Sequence, residues 1–171
     1  MRTILFCLLV MPFICLAQRK AKGYFSLDPA LYFKAKTDPG FGGFVSGNLK
    51  LKNELFGGLQ IGAVSLPGMD GAYVPLQARF TVIPSLHSNK VSPFMLIEPG
   101  YGIHNKTYGN SYFSYTEEGG FVFFAAAGLL LPTSAKGALT LAVGYSSFGS
   151  KIGTTKYNLE MVGVRLGVLL K

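Results

Sequence analysis

Few residues in this chain could do covalent chemistry. It has two histidines, His87 and His104. An imidazole base works only within hydrogen-bond reach of a nucleophile and needs a third group to orient it. His87 is followed by Ser88 in a turn-like stretch. His104 opens the longest polar segment, with Ser111, Ser114, Glu117 and Glu118 after it. Closeness along a loop does not assemble a triad, so no catalytic residue is assigned. Both cysteines, Cys7 and Cys15, fall in an N-terminal segment with the marks of a signal peptide. Its removal leaves no thiol, which excludes disulfides, thiolate metal sites and cysteine catalysis. Two isolated histidines without cysteine make no metal site, and no cofactor is expected. Asn105-Lys106-Thr107 matches a glycosylation sequon, a short pattern that carries little weight by itself.

A second set of reactive groups lies inside apolar stretches. Glu98 sits in SPFMLIEPGYGI, Ser92 to Ile103. Successive strand residues point to opposite faces. Met95, Ile97, Tyr101 and Ile103 then share one face, and Glu98, Gly100 and Gly102 the other. The same parity puts Asp28, Lys50, Arg79 and Arg165 on the polar faces of four other strands. Arg79 and Glu98 lie on adjacent strands. Asp28 and Arg165 lie on the first and last, each about six residues from the same end, so closure of a barrel makes them neighbours. Two candidate pairs follow, Arg79–Glu98 and Asp28–Arg165, because an unpaired buried charge costs several kcal/mol.

The elements that must hold these residues are eight amphipathic strands, expected at Lys22–Lys34, Gly42–Lys52, Leu55–Ser65, Ala72–Ile83, Ser92–Ile103, Gly120–Leu131, Ala138–Phe148 and Lys156–Lys171. No helical period competes with them. Their lengths suit the ~9–11 residues of a membrane barrel strand. Even-numbered connections are compact, and the third odd one, His104 to Gly119, is long. Short periplasmic turns and longer outer loops give that asymmetry. Pro29, Pro75 and Pro99 interrupt three strands; bulges would accommodate them, and local irregularity is expected there.

Composition narrows the class. Apolar residues make up 49% and charged residues 14%, below the roughly one quarter usual in soluble domains. The net charge is +8, yet the Lys and Arg residues form no dense run or basic helix, so nucleic acid is not an expected partner. Arg2, the apolar run Ile4–Ile14 and the small residues ending at Ala17 predict a signal peptide over 1–17 and a barrel domain over 18–171.

Alternation alone fits two barrels. A soluble one turns its apolar face inward around a ligand; a membrane one turns it outward. The polar face here is rich in small residues, among them Gly58, Gly62, Gly144, Gly163, Gly167, Ser46 and Ser146. Such residues suit the crowded interior of an eight-stranded barrel, which has room only for packed side chains. Asp28, Lys50, Arg79, Glu98 and Arg165 then form an interior polar cluster. In the long outer segment Tyr108, Tyr112, Phe113 and Tyr115 are candidate surface contacts, or members of an interfacial aromatic girdle.

VPLQARF (Val74–Phe80), SPFMLIEPGYGI (Ser92–Ile103), GGFVFFAAAGLLLP (Gly119–Pro132), LTLAVGYS (Leu139–Ser146) and YNLEMVGVRLGVLL (Tyr157–Leu170) together resemble the small outer-membrane β-barrel proteins of Gram-negative bacteria, of the OmpA/OmpX type. The resemblance runs from about Lys22 to Lys171. It implies an all-β, eight-stranded antiparallel up-and-down transmembrane barrel. It also implies outer-membrane lipid around it and insertion by the outer-membrane assembly machinery. Members usually end in an aromatic residue; this chain ends Leu170-Lys171. The expected function is structural or surface-interaction, as a monomer, without enzymatic activity and without diffusion through the lumen, since porin channels need about 16 strands. The alternatives are a soluble periplasmic barrel for an apolar ligand and a lipid-modifying barrel enzyme using His104.

Overall fold

The computed structural model describes residues 23–69, 71–84, 90–109, 114–134 and 136–171. Segment 1–17, expected as a signal peptide, lies outside them. Nine strands follow in order: β1 (Gly23–Phe33), β2 (Gly40–Lys52), β3 (Leu55–Ser65), β4 (Val74–Val82), β5 (Ser92–Ile103), β6 (Asn105–Gly109), β7 (Ser114–Pro132), β8 (Gly137–Ile152) and β9 (Thr155–Leu170). Consecutive strands pair antiparallel except β5 and β6; β5 pairs instead with β7, and β1 pairs with β9. The sheet is therefore a closed up-and-down barrel of eight spanning strands. Short β6 continues β5 past His104 and pairs only with the start of β7.

Two segments expected as loops are strands instead. Asn105–Gly109 pairs in register with Ser114–Glu118, carrying a hairpin beyond the ring. Thr, Tyr and alternating polar residues favour a pleated ribbon, and Thr107 and Thr116 bond across it at 3.3 Å. Likewise β8 and β9 pair out to Ile152 and Thr155. The turn between them closes on Gly153, whose φ of 61° favours glycine.

The prolines produce no bulge. Pro29 stays opposite Gly43, Pro75 opposite Gly102 and Pro99 opposite Phe123. Each interrupts pairing on one side only: β1–β9 pairing stops at Leu27–Val168 and resumes in the same register at Ala30–Arg165. A missing N–H removes a rung without moving the partner strand. Register does shift at Lys50/Lys52 and Gly119/Val122.

The alternation sorts inside from outside along every spanning strand. On β5, Met95 and Ile97 are 66% and 51% exposed on the outer wall, while Glu98 between Ile97 and Pro99 is fully buried. The outer wall is apolar around the ring, with Leu27, Leu59, Phe80, Leu129, Leu141 and Val168 all exposed. The lumen has three layers. Nearest the termini lie Tyr24, Phe56, Phe94, Leu130 and Leu169. At the other end lie Tyr32, Phe44, Val64, Tyr73, Phe148 and Met161. Buried polar side chains fill the middle.

Close strand approach depends on absent side chains. A Cβ on Gly100 would overlap the Leu76 carbonyl oxygen and lie 2.6 Å from Gln77 Cα. Backbone cannot yield as a flexible side chain can. Gly100→Leu is expected to cost at least about 1–3 kcal/mol, the usual toll of overpacking. Gly47, with nothing within 4 Å, is the control: Gly47→Leu should leave the urea midpoint in lipid vesicles unchanged.

Candidate functional site

The middle layer of the lumen is one connected network built from β1, β2, β3, β4, β5 and β9. Glu98 lies at its centre. Its Oε2 accepts from Arg165 Nη1 at 2.6 Å and from Gln60 Nε2 at 3.0 Å. Its Oε1 faces Arg79 Nε at 3.3 Å. Arg79 Nη1 points into a cup formed by Asp28 Oδ2, Ser26 Oγ at 3.1 Å and Gln60 Oε1 at 3.0 Å. Gln77 donates to the Glu98 carbonyl oxygen at 2.8 Å. The Arg165 guanidinium sits between two rings, 4.1 Å from the centre of Phe44 and 3.8 Å from that of Phe124, a favourable cation–π arrangement.

Four of the five expected cluster residues meet here: Asp28, Arg79, Glu98 and Arg165, all buried. The Arg79–Glu98 contact is present. The Asp28–Arg165 pair is not. Asp28 binds Arg79, and Arg165 reaches Glu98. The cause is register. Arg165 stands opposite Ala30, and Asp28 covers Gly167, where a Cβ would overlap its Oδ1. Phe44 and Phe124 then lead the guanidinium across the lumen toward Glu98. Lys50 is also outside the cluster: it is exposed at the β2–β3 turn. Its parity is inward, but it lies where the ladder shifts, and a long stem carries the ammonium into water. Gln60, Gln77 and Ser26 were not singled out from sequence; their parity placed them inward, but neutral groups carry no sign to match. Two carboxylates and two guanidiniums balance, so the network needs no counter-ion.

A second buried group lies at the end away from the termini. His104 Nδ1 is 3.2 Å from the Ala72 carbonyl oxygen, and its Nε2 is 3.7 Å from Glu117 Oε2. Ser150 Oγ donates to Glu117 Oε1 at 2.8 Å. The Tyr73 ring stacks over His104 at 6.1 Å. A nucleophilic serine should hydrogen-bond the imidazole that takes its proton; here the hydroxyl donates to the carboxylate instead. Of the other expected partners of His104, Ser114 is exposed on the hairpin, Glu118 pairs with Lys151 at 3.5 Å, and Ser111 lies outside the described residues. So does His87. Among the described residues no three His, Cys, Asp or Glu side chains are grouped to hold a metal.

No protein-family model matches the chain, and no curated protein matches it in sequence. Solved structures match by fold. Neisserial surface protein A is 16% identical and aligns over 90% of this chain and 99% of its own, with a TM-score of 0.66. OprG from Pseudomonas aeruginosa is 12% identical over 88% of this chain and 96% of its own, with a TM-score of 0.60. The N-terminal barrel domain of OprF from the same organism is 12% identical over 88% of this chain and 100% of its own, with a TM-score of 0.54. This chain has the fold of the small outer-membrane β-barrels. The likeness drawn from strand motifs thus holds for fold, at identities too low to carry residue roles across.

In such a barrel the hairpin stands above the ring. Tyr108 and Tyr115 are opposite one another in it, and Tyr112 and Phe113 lie outside the described residues. No rung of the eight-stranded ring depends on 106–115. Deleting those residues should leave the folded, heat-modifiable band on an unheated detergent gel unchanged. A mutant that fails to fold would mean that the hairpin helps to close the barrel.

Proposed function

We propose that the protein resides in the outer membrane of a Gram-negative bacterium as a monomeric, plugged barrel. Its role is structural or surface-interacting, and it is neither a diffusion porin nor an enzyme. One observation carries this reading: an apolar wall faces outward while the lumen is filled through three layers. The soluble alternative needs the reverse, an apolar cavity inside a polar wall. Large rings between and beside the charges leave no wide aqueous path past Arg165, which is held between Phe44 and Phe124. Lipid surrounds the wall, and the outer-membrane assembly machinery inserts it.

Ser150, Glu117 and His104 make the enzyme reading concrete. What argues against it is the order of the contacts, with the carboxylate between the hydroxyl and the imidazole. The test has two parts. Planar bilayers holding the folded protein should stay free of stepwise conductance, and lipid A exposed to it should be unmodified in both the wild type and His104→Ala. Stable porin-sized steps would overturn the plugged-barrel reading. Lipid A turnover abolished by His104→Ala would replace it with the enzyme.

A further inference from the structure

The two ends of the barrel differ in charge. At the end that holds the termini, every turn between spanning strands carries lysine: Lys50 and Lys52 at β2–β3, Lys90 before β5, and Lys136 before β8, with Lys171 after β9. Among the described residues one acidic side chain, Glu54, lies at that end, which leaves the rim net positive. The opposite end also has five lysines, but Asp38, Glu117, Glu118 and Glu160 nearly balance them. Lys50, Lys52, Lys90 and Lys136 are all exposed.

Above that basic rim the apolar wall has a furrow of about 510 Å³. Ala125 and Ala127 form its floor on β7, paired with Ile97 and Met95 on one side and with Tyr145 and Val143 on the other. Leu55 and Val82 line its lower mouth, at the first residue of β3 and the last of β4. Lys52 pairs with Leu55 at that mouth, and Lys90 lies beyond its other edge, before β5. Lys90 is five residues from Met95, about 16 Å of extended chain at ~3.3 Å per residue.

We infer that this face binds an anionic phospholipid, with an acyl chain along the β7 furrow and its phosphate among the rim lysines. The inference rests on the membrane reading above, and it adds a ligand class and a place on the wall. The furrow alone would accept any apolar chain. The rim selects among them, since each lysine near an anionic surface strengthens binding about fivefold. A second copy of this chain would bring the same row of lysines, so like charge disfavours it.

The folded full-length protein in neutral detergent is mixed with equal amounts of phosphatidylglycerol and phosphatidylcholine of matched chains. Retained lipid is read by native mass spectrometry. Phosphatidylglycerol should be held at least fivefold over phosphatidylcholine. The Lys52→Gln/Lys90→Gln variant should lose that preference, and Lys34→Gln/Lys36→Gln at the opposite end should keep it. Ala127→Phe, which fills the furrow from outside the core, should release both lipids. Equal retention of the two lipids, equal loss in both lysine pairs, a protein dimer occupying the face, or unchanged retention in Ala127→Phe would each overturn the site. A chain that stays soluble without detergent would instead overturn the membrane reading, and the lipid site with it.

Discussion

Replacing Glu98 with alanine is expected to cost about 3–5 kcal/mol, the range for removing one partner of a buried ion pair. The loss should exceed that of Asp28→Ala. Glu98 contacts both guanidiniums, but the two depend on it unequally. Arg79 keeps Asp28 when Glu98 is gone. Arg165 keeps Gln60 at 3.5 Å and two aromatic rings, and no carboxylate. The orphaned charge is therefore Arg165. Glu98→Ala/Arg165→Ala should recover more stability than Glu98→Ala/Arg79→Ala, because the second leaves Asp28 and Arg165 both unmatched. Urea unfolding in lipid vesicles measures these four variants together with the Arg79→Ala and Arg165→Ala singles, and the couplings come from the double-mutant cycles. Equal recovery in the two doubles would show that Arg165 does not depend on Glu98.

Ile97→Lys should cost about 2–4 kcal/mol in a bilayer, the penalty for a cation on the lipid face near mid-membrane. Ile97 is the neighbour of Glu98 in sequence and on the opposite face of the same strand. The two losses have different origins and separate by solvent. In detergent micelles, where water reaches the belt more readily, the Ile97→Lys penalty should shrink while the Glu98→Ala penalty persists. A neutral Ile97→Lys in vesicles would mean that the exposed apolar wall does not face lipid, and the proposed location would fail.

How much of this was legible in the sequence depends on what each feature rests on. Strand bounds resting on period-2 alternation with turn residues at both ends were readable: β3 and β5 begin and end where expected, at Leu55–Ser65 and Ser92–Ile103. Facing followed from the same parity, which one register slip would have reversed. The hairpin beyond β5 was not readable as strand, because polar residues on both faces give no apolar period to detect. Pairing across the lumen was half readable. Arg79 and Glu98 share neighbouring strands, but the partners of Asp28 and Arg165 were settled by side-chain reach and by Gly167, whose missing side chain leaves the space that Asp28 enters. Lys50 followed parity and still left the cluster, because parity is silent on depth.

The pairing of β1 with β9 has a consequence for how the molecule is made. Residues 25–33 meet residues 162–170, the most distant partners in sequence among the described residues. Bringing them together carries the largest loop-closure entropy of any contact here, and such long-range pairing is slow. Until it happens the sheet is an open ribbon with two unpaired edges, each a template for aggregation. A chain cut short before β9 could not settle into a smaller ring: β1 would keep its edge, and Arg165 would be missing from Glu98. The closing strand of the barrel thus acts as a completeness check, sealing both edges and the central charge network together.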